Sequence, residues 1–136
     1  KRISSLRANI PEREFDFIQF GLLIDRPLLY KRINNRVDEM IDKGLIDEVK
    51  KLRGKYDYKK INSLNTVGIK EVYKYLEGEY DFETAIKMLK QNTRRYAKRQ
   101  MTWFRKDKRI HWIKAEETDS ATEIAEKIYK QINDKI

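Results

Sequence analysis

The sequence has no cysteine, two prolines, five glycines and a single histidine among its 136 residues. Missing thiols exclude a disulfide framework, a thiolate metal site and a cysteine nucleophile, and they fit a reducing compartment. A cytoplasmic location is therefore expected. His111 alone cannot build a zinc cluster, which needs several nitrogen or sulfur ligands. No stretch approaches the ~20 consecutive apolar residues of a membrane helix, so a soluble chain with no membrane partner is expected. The opening Lys1-Arg2-Ile3-Ser4-Ser5 carries no apolar signal core. The phosphate-cradling GxxxxGK[ST] pattern, GxGxxG and GxSxG are all absent, so no self-sufficient active site is visible. The first residue is not methionine, which leads to the expectation of a processed product or a piece of a longer chain.

Charge is abundant. Charged residues make up 39% of the chain, yet 40% hydrophobic and 11% aromatic residues leave enough apolar bulk for one folded domain. Lys87–Arg109 holds ten basic residues and one acid, Asp107, which accounts for the whole net charge of +9. A basic excess confined in this way is the footprint of a polyanion partner, whose phosphates release counterions to Lys and Arg. A solvated helix face is the other reading, although such faces usually mix both signs.

Residue spacing predicts a mostly helical chain with four or five helices and two or three short strands. Lys1–Glu14 reads as a loop or short helix, and Phe15–Ile24 as a largely buried strand. Asp25 is placed to cap a helix with Pro27 in its first turn, where Leu29, Ile33, Val37, Met40 and Ile41 recur until Gly44. Leu45, Val49 and Leu52 mark a shorter helix ending at Gly54. Asn65–Glu77 reads as a third helix. Asp81 is placed to cap the longest helix, from Phe82 to about Lys106, in which Ala85, Leu89, Tyr96 and Trp103 share an apolar arc. Lys87, Arg94, Lys98 and Arg105 form a row opposite, with Arg95 and Arg99 beside it. Thr93 and Gln100 project into the arc, where a polar group needs a partner. Ile110–Ile113 suits a short strand, and Ser120 with Glu123 a capping box opening a last helix through Ile124, Ile128, Ile132 and Ile136.

His111 alternates with Ile110 and Trp112 as in a strand, which favours a structural or exposed histidine over a catalytic one. Asp38, Glu39 and Asp42 are close on one helix but read more readily as solvated carboxylates than as metal ligands. Thr93–Arg105 differs, because guanidinium forks grip phosphates while interleaved aromatic rings can stack on unpaired bases. Those rings also suit a core, and both readings stay open for Tyr96, Trp103 and Phe104.

Thr93-Arg94-Arg95-Tyr96-Ala97-Lys98-Arg99-Gln100-Met101-Thr102-Trp103-Phe104-Arg105 resembles the C-terminal signature of the tRNA dimethylallyltransferases, or tRNA isopentenyltransferases. Four further segments fall in that family's order: Arg2–Leu6; Arg26–Ile33 with Arg36–Met40; Gly44–Val49; and Asn65–Glu71 with Tyr75–Gly78. The resemblance implies transfer of a dimethylallyl group from its diphosphate to N6 of the adenosine 3′ of a tRNA anticodon. It implies the C-terminal part of an α/β P-loop transferase fold, with residues 1–14 the tail of a helical insertion and 15–136 core with tRNA-binding helices. The family's phosphate loop, general-base aspartate and Mg2+ site lie in an N-terminal part without counterpart here, so the chain alone is expected to bind donor and magnesium poorly and not to turn over. The intact enzyme is expected to be a monomer. An isolated piece is expected to dimerise through exposed apolar surface around its strands, which would be left stranded or pair only with each other.

Site residues follow from the same resemblance. Arg36 matches an arginine near the donor diphosphate, although an exposed residue pairing with Glu39 fits the same spacing. Asn65, Thr66, Val67, Gly68, Ile69 and Lys70 match a tRNA-contacting loop and helix start. Thr93, Arg94, Arg95, Lys98, Arg99 and Gln100 match a second, the wall of the channel that receives the flipped base. Family members often differ at Asn65 and Thr66 and carry tyrosine where Ile69 stands. A stand-alone basic helical RNA-binding module and a helical domain for an acidic protein are the competing classes.

Overall fold

The computed structural model describes residues 17–57, 60–61 and 64–133. The expected opening loop, the start of the first strand at Phe15 and the last helical position, Ile136, lie outside the described residues. The chain runs β1 (Gln19–Ile24), α1 (Arg26–Asp42), α2 (Leu45–Arg53), α3 (Ile69–Leu76), α4 (Phe82–Phe104), β2 (Ile110–Ala115) and α5 (Ala121–Asn133). Among the described residues, five helices and two strands match the expected mostly helical class.

β1 and β2 pair in parallel, Gln19 opposite Ile110 and Ile24 opposite Ala115, as a two-stranded sheet. Its register depends on Gly21. A Cβ there would stand 2.8 Å from both Ile110 Cγ2 and Trp112 Cζ3, so only a residue without a side chain lets these groups cross the strand. No residue of β1 is buried, contrary to the largely buried strand its composition suggests, and Phe17, Ile18 and Leu22 keep large exposed apolar surfaces around the pair, as expected for strands short of neighbours.

The helices assemble around two apolar clusters. Val49, Val72 and Tyr73 are buried with Leu45, Ile46, Leu64, Ile69 and Leu76 packed round them, joining α2 to α3. Arg53 ties this pair further by donating to the Leu76 carbonyl at 2.7 Å. Ile33 and Val37 of α1 and Ala85 and Leu89 of α4 are likewise buried, and α4 also packs on α3. α4 therefore lies between α1 and α3.

Local signals set most boundaries. Gly44, with φ at 95°, separates α1 from α2 in a conformation that costs glycine little. Asp81 accepts from the Thr84 amide at 2.7 Å, and Ser120 and Glu123 exchange reciprocal bonds at the start of α5. Asp25 does occupy the cap position of α1, but its side chain makes no capping bond and its carboxylate lies 3.8 Å from Lys114 Nζ.

Three further expectations need correction. The third helix begins at Ile69 rather than Asn65, because Gly68 adopts φ 108° and breaks the helical path. Asn65–Gly68 is a turn. α4 ends at Phe104 and β2 continues to Ala115. The arc of α4 is only half buried: Ala85 and Leu89 are in the core, but Tyr96 is 50% and Trp103 68% exposed, with Phe104 at 40%. At ~1.5 Å per residue the 23-residue α4 is roughly 34 Å long, against roughly 12 Å for the 8-residue α3 beside it, so α3 flanks only part of its length.

Candidate nucleic-acid interface

α1, the turn before α3 and the middle of α4 enclose a cleft of about 740 Å³. Arg36 reaches it from α1. Asn65, Thr66, Val67 and Gly68 reach it from the turn, and Thr93, Arg99 and Gln100 from α4. Its floor is apolar, formed by Ile33, Val37 and Leu89 among others. Three segments far apart in sequence thus bring eight of the thirteen expected site residues to one opening.

The turn is held by a buried carboxylate. Glu71 is 3% exposed, accepts from the Gly68 amide at 2.8 Å through one oxygen and from the Asn92 side-chain amide at 2.8 Å through the other. Asn92 directly precedes Thr93 on α4, so the bond links the turn to the opposite cleft wall. Thr93 satisfies its hydroxyl by donating to the Leu89 carbonyl at 2.8 Å, which leaves its methyl group available to the cleft.

The remaining five site residues stand elsewhere. Ile69 packs on the α2–α3 cluster and Lys70 is exposed outside the cleft. Arg95 and Lys98, with Arg99, Thr102, Trp103 and Lys106, line a shallow depression of about 470 Å³ on the outer side of α4. Arg99 borders both hollows. Trp103 packs edge-on against Phe104 at 5.0 Å between centroids and keeps most of its surface exposed beside these cations, so a stacking surface, not a core, describes it.

Arg94 does not join a solvated row. Its guanidinium donates to Asn34 Oδ1 at 2.6 Å and lies 5.8 Å from the centre of the Tyr30 ring, so the long side chain curls from α4 back onto α1. Lys90 does likewise through Asp38, at 2.6 and 2.8 Å to its two oxygens. Asp38 is thus an ion-pair partner, and Glu39 faces Lys43 at 3.6 Å rather than Arg36. At the end of the basic segment, hydrogen bonds from the Arg109 side chain and amide hold Asp107 down to about 2. Net positive charge concentrates on the exposed segment Arg95–Lys106, the last turns of α4 and the two residues after it.

Gln100 lines a second groove as well, about 610 Å³ between α4 and the sheet, with Phe20, Leu22, Trp112 and Phe104. It is exposed at the junction of the two, rather than buried in an apolar arc. His111 stacks obliquely on Phe20 at 5.9 Å, the structural setting its strand position suggested.

Asn34, Tyr30, Glu71 and Asn92 carry no individual role in the sequence motifs. Glu71 had a signal, since an acid three residues after a helix-entry position can return a bond to the cap amide. The other three contribute through partners that only the fold supplies.

The family model for IPP transferase matches residues 1–107. The tRNA dimethylallyltransferase of Christiangramia forsetii is 52% identical over 114 residues, which cover 84% of this chain and 37% of that protein. That of Natranaerobius thermophilus is 46% identical over 130 residues, 96% of this chain and 39% of the relative. Among solved structures, the full-length tRNA isopentenylpyrophosphate transferase from Bacillus halodurans superposes with a TM-score of 0.79 at 44% identity, covering 87% of this chain and 38% of that one. The corresponding enzyme from Staphylococcus epidermidis gives 0.79 at 36% identity, covering 90% of this chain and 39% of that one. The chain spans about two fifths of the length of the relatives it matches.

Proposed function

This chain belongs to the IPP transferase family, and we propose that it forms the tRNA-gripping C-terminal portion of an enzyme that prenylates the adenosine 3′ of the anticodon. The convergence of Arg36, the 65–68 turn, Thr93, Arg99 and Gln100 on one cleft carries this reading. The cleft combines an apolar floor suited to a base or a prenyl chain with cations at its rim. In the reaction, N6 of adenosine attacks C1 of dimethylallyl diphosphate. The C1–O bond breaks, diphosphate departs with the electron pair, and the N6 proton passes to a base outside this chain.

Arg36 is the residue for the leaving group, where a fixed cation stabilises charge as it develops. Arg95, Lys98 and Arg99 hold the phosphates of the anticodon stem-loop, the turn 65–68 and Lys70 approach its backbone, and Gln100 addresses the flipped base. Ile69 acts through the core beneath that turn, and Arg94 sets the spacing of α1 and α4. Residues 1–14 belong to the helical insertion and 15–136 to the P-loop core, where β1 and β2 join a larger sheet in a monomeric cytoplasmic enzyme. Among the described residues no group of three or more His, Asp or Glu stands together as a metal site, and the Mg2+ of the intact enzyme is assigned to the portion outside this chain. No described helix is long and apolar enough to cross a membrane.

In the whole enzyme, Arg36→Ala is expected to lower kcat for prenyl transfer about a hundredfold with little change in tRNA affinity. An unchanged kcat with weakened tRNA binding would make Arg36 a tRNA contact. The exposed Trp103 among cations also suits a stand-alone RNA-binding module. Salt-sensitive RNA affinity in this chain, unaltered by the other portion of the enzyme, would select that reading.

A further inference from the structure

We infer that Glu71 and Asn92 are positioning residues for tRNA, acting through the Gly68 turn. This rests on the reading that the cleft receives tRNA. Of the described acidic residues, Glu71 is the one buried in the core, and it spends both oxygens on two elements: its own helix entry and the facing wall, α4. A helix-capping role alone needs one oxygen. The second bond spans 21 residues of sequence and fixes how far the turn stands from Thr93.

The turn needs such a clamp. Gly68 holds φ at 108° and ψ at −66°, Asn65, Thr66 and Val67 are exposed on the cleft side, and the backbone bonds at the turn are the Lys70 amide to the Thr66 carbonyl at 3.1 Å and a longer Val72 amide to the Gly68 carbonyl at 3.4 Å, neither of which reaches α4. Space does not confine Gly68, since a Cβ there would meet nothing nearer than Leu89 Cδ1 at 4.0 Å. The Glu71 carboxylate therefore sets the place of the turn, and through Asn92 it sets that place relative to α4. An effect on tRNA, and not on the donor, follows from the geometry, because Arg36 enters the cleft from α1 and shares no bond with this network.

Hydrogen-bond polarity makes the test specific. In Asn92→Asp a second carboxylate faces Glu71, and the bond becomes a repulsion. In Glu71→Gln/Asn92→Asp the polarity is restored with its direction reversed: the glutamine oxygen still accepts from the Gly68 amide, while its nitrogen donates to the introduced carboxylate. Both variants keep the shape of the pair, and the double variant controls for misfolding.

The experiment compares the whole enzyme with these two variants by steady-state prenyl transfer and by hydrogen exchange at the Gly68 amide. Asn92→Asp is expected to raise KM for tRNA and to speed Gly68 exchange, each about tenfold, for loss of one buried charge-assisted bond. The kcat and the KM for dimethylallyl diphosphate should hold. The double variant should recover both readouts. Failure of the double variant to recover either, or equal change in every kinetic constant, would overturn the assignment in favour of a merely structural pair. Gly68 exchange is independent of tRNA, so accelerated and rescued exchange with an unmoved KM for tRNA would retain the clamp and refute its place in tRNA binding. A parent enzyme unable to prenylate tRNA would instead refute the functional reading.

Discussion

Arg94 and Lys98 lie one helical turn apart on the most basic helix, yet replacing them by alanine should produce opposite phenotypes. Arg94→Ala removes a charged donor from Asn34 and a cation from the face of Tyr30. A hydrogen bond from a charged group contributes about 1.5–3 kcal/mol and a cation–π contact about 0.5–1 kcal/mol. Arg94 is only half-buried, and water can reach Asn34 once the guanidinium is gone, so the net loss should be roughly 1–2 kcal/mol. Lys98→Ala removes an exposed charge with no such anchor and should cost well under ~0.5 kcal/mol. In urea denaturation the Arg94 variant should unfold about 0.5–1 M earlier, and the Lys98 variant at the parent midpoint. RNA binding should invert this order: the slope of log K against log salt should become shallower by roughly 0.7–0.9 for Lys98→Ala and barely move for Arg94→Ala. An Arg94→Ala variant with parental stability and the reduced slope would refute the reasoning, because Arg94 would then leave Asn34 to contact phosphate.

Gly21→Ala should destabilise the sheet by about 1–3 kcal/mol, since the new methyl overlaps Ile110 and Trp112; denaturation at or above the parental midpoint would show that the strands can separate at no cost. Asp107 should titrate in the folded chain near 2 instead of the ordinary 3.8, because bonds from the Arg109 side chain and then its amide favour the carboxylate. Its contribution to stability is thus complete above 3.8 and is lost as pH falls through about 2, with an NMR titration midpoint near the ordinary value as the contrary result. Trp103, 68% exposed, should be strongly quenched by acrylamide and shielded on adding a tRNA anticodon stem-loop; Trp103→Phe should remove that shielding, and persistence of the effect would assign it to Trp112.

Elements whose causes are local were legible. Gly44 and Gly54 mark the ends of α1 and α2, and the Ser120–Glu123 pair marks the start of α5, because each depends on residues within one turn. The helix expected from Asn65 starts only at Ile69, because the spacing of Ile69, Val72, Tyr73 and Leu76 marks a helix without marking its first residue, while the φ of Gly68 is a property of the fold. Trp103 follows the apolar period of α4 but lies where that arc is no longer buried, and helical periodicity carries no information on where a neighbouring helix stops. The two groups of cleft residues were legible as family-like motifs, whereas their common opening was not. Contacts such as Asn92 with Glu71, or Arg94 with Asn34, join positions 21 and 60 residues apart that no spacing rule connects.

The parallel strand pair bears on the order of events during synthesis. β1 leaves the ribosome 85 residues ahead of β2, with four helices between them. At ~5–20 residues per second β1 waits roughly 4–17 s for its only described partner. The helices close over shorter spans, α2 on α3 and α3 on α4 as neighbours in sequence and α1 on α4 across the two helices between them, whereas joining the ends of an 85-residue segment costs about 4 kcal/mol in chain entropy if that segment is still loose. Prior assembly of α1, α3 and α4 shortens the loose part and brings β2 alongside β1, with Ile110 opposite Gln19 and Ala115 opposite Ile24. Pairing of these two strands accordingly follows assembly of the helices between them, and until it occurs the edge of β1 that takes β2 stays open. Slower translation past Arg109 would prolong that exposure and give the strand more time to find the wrong edge.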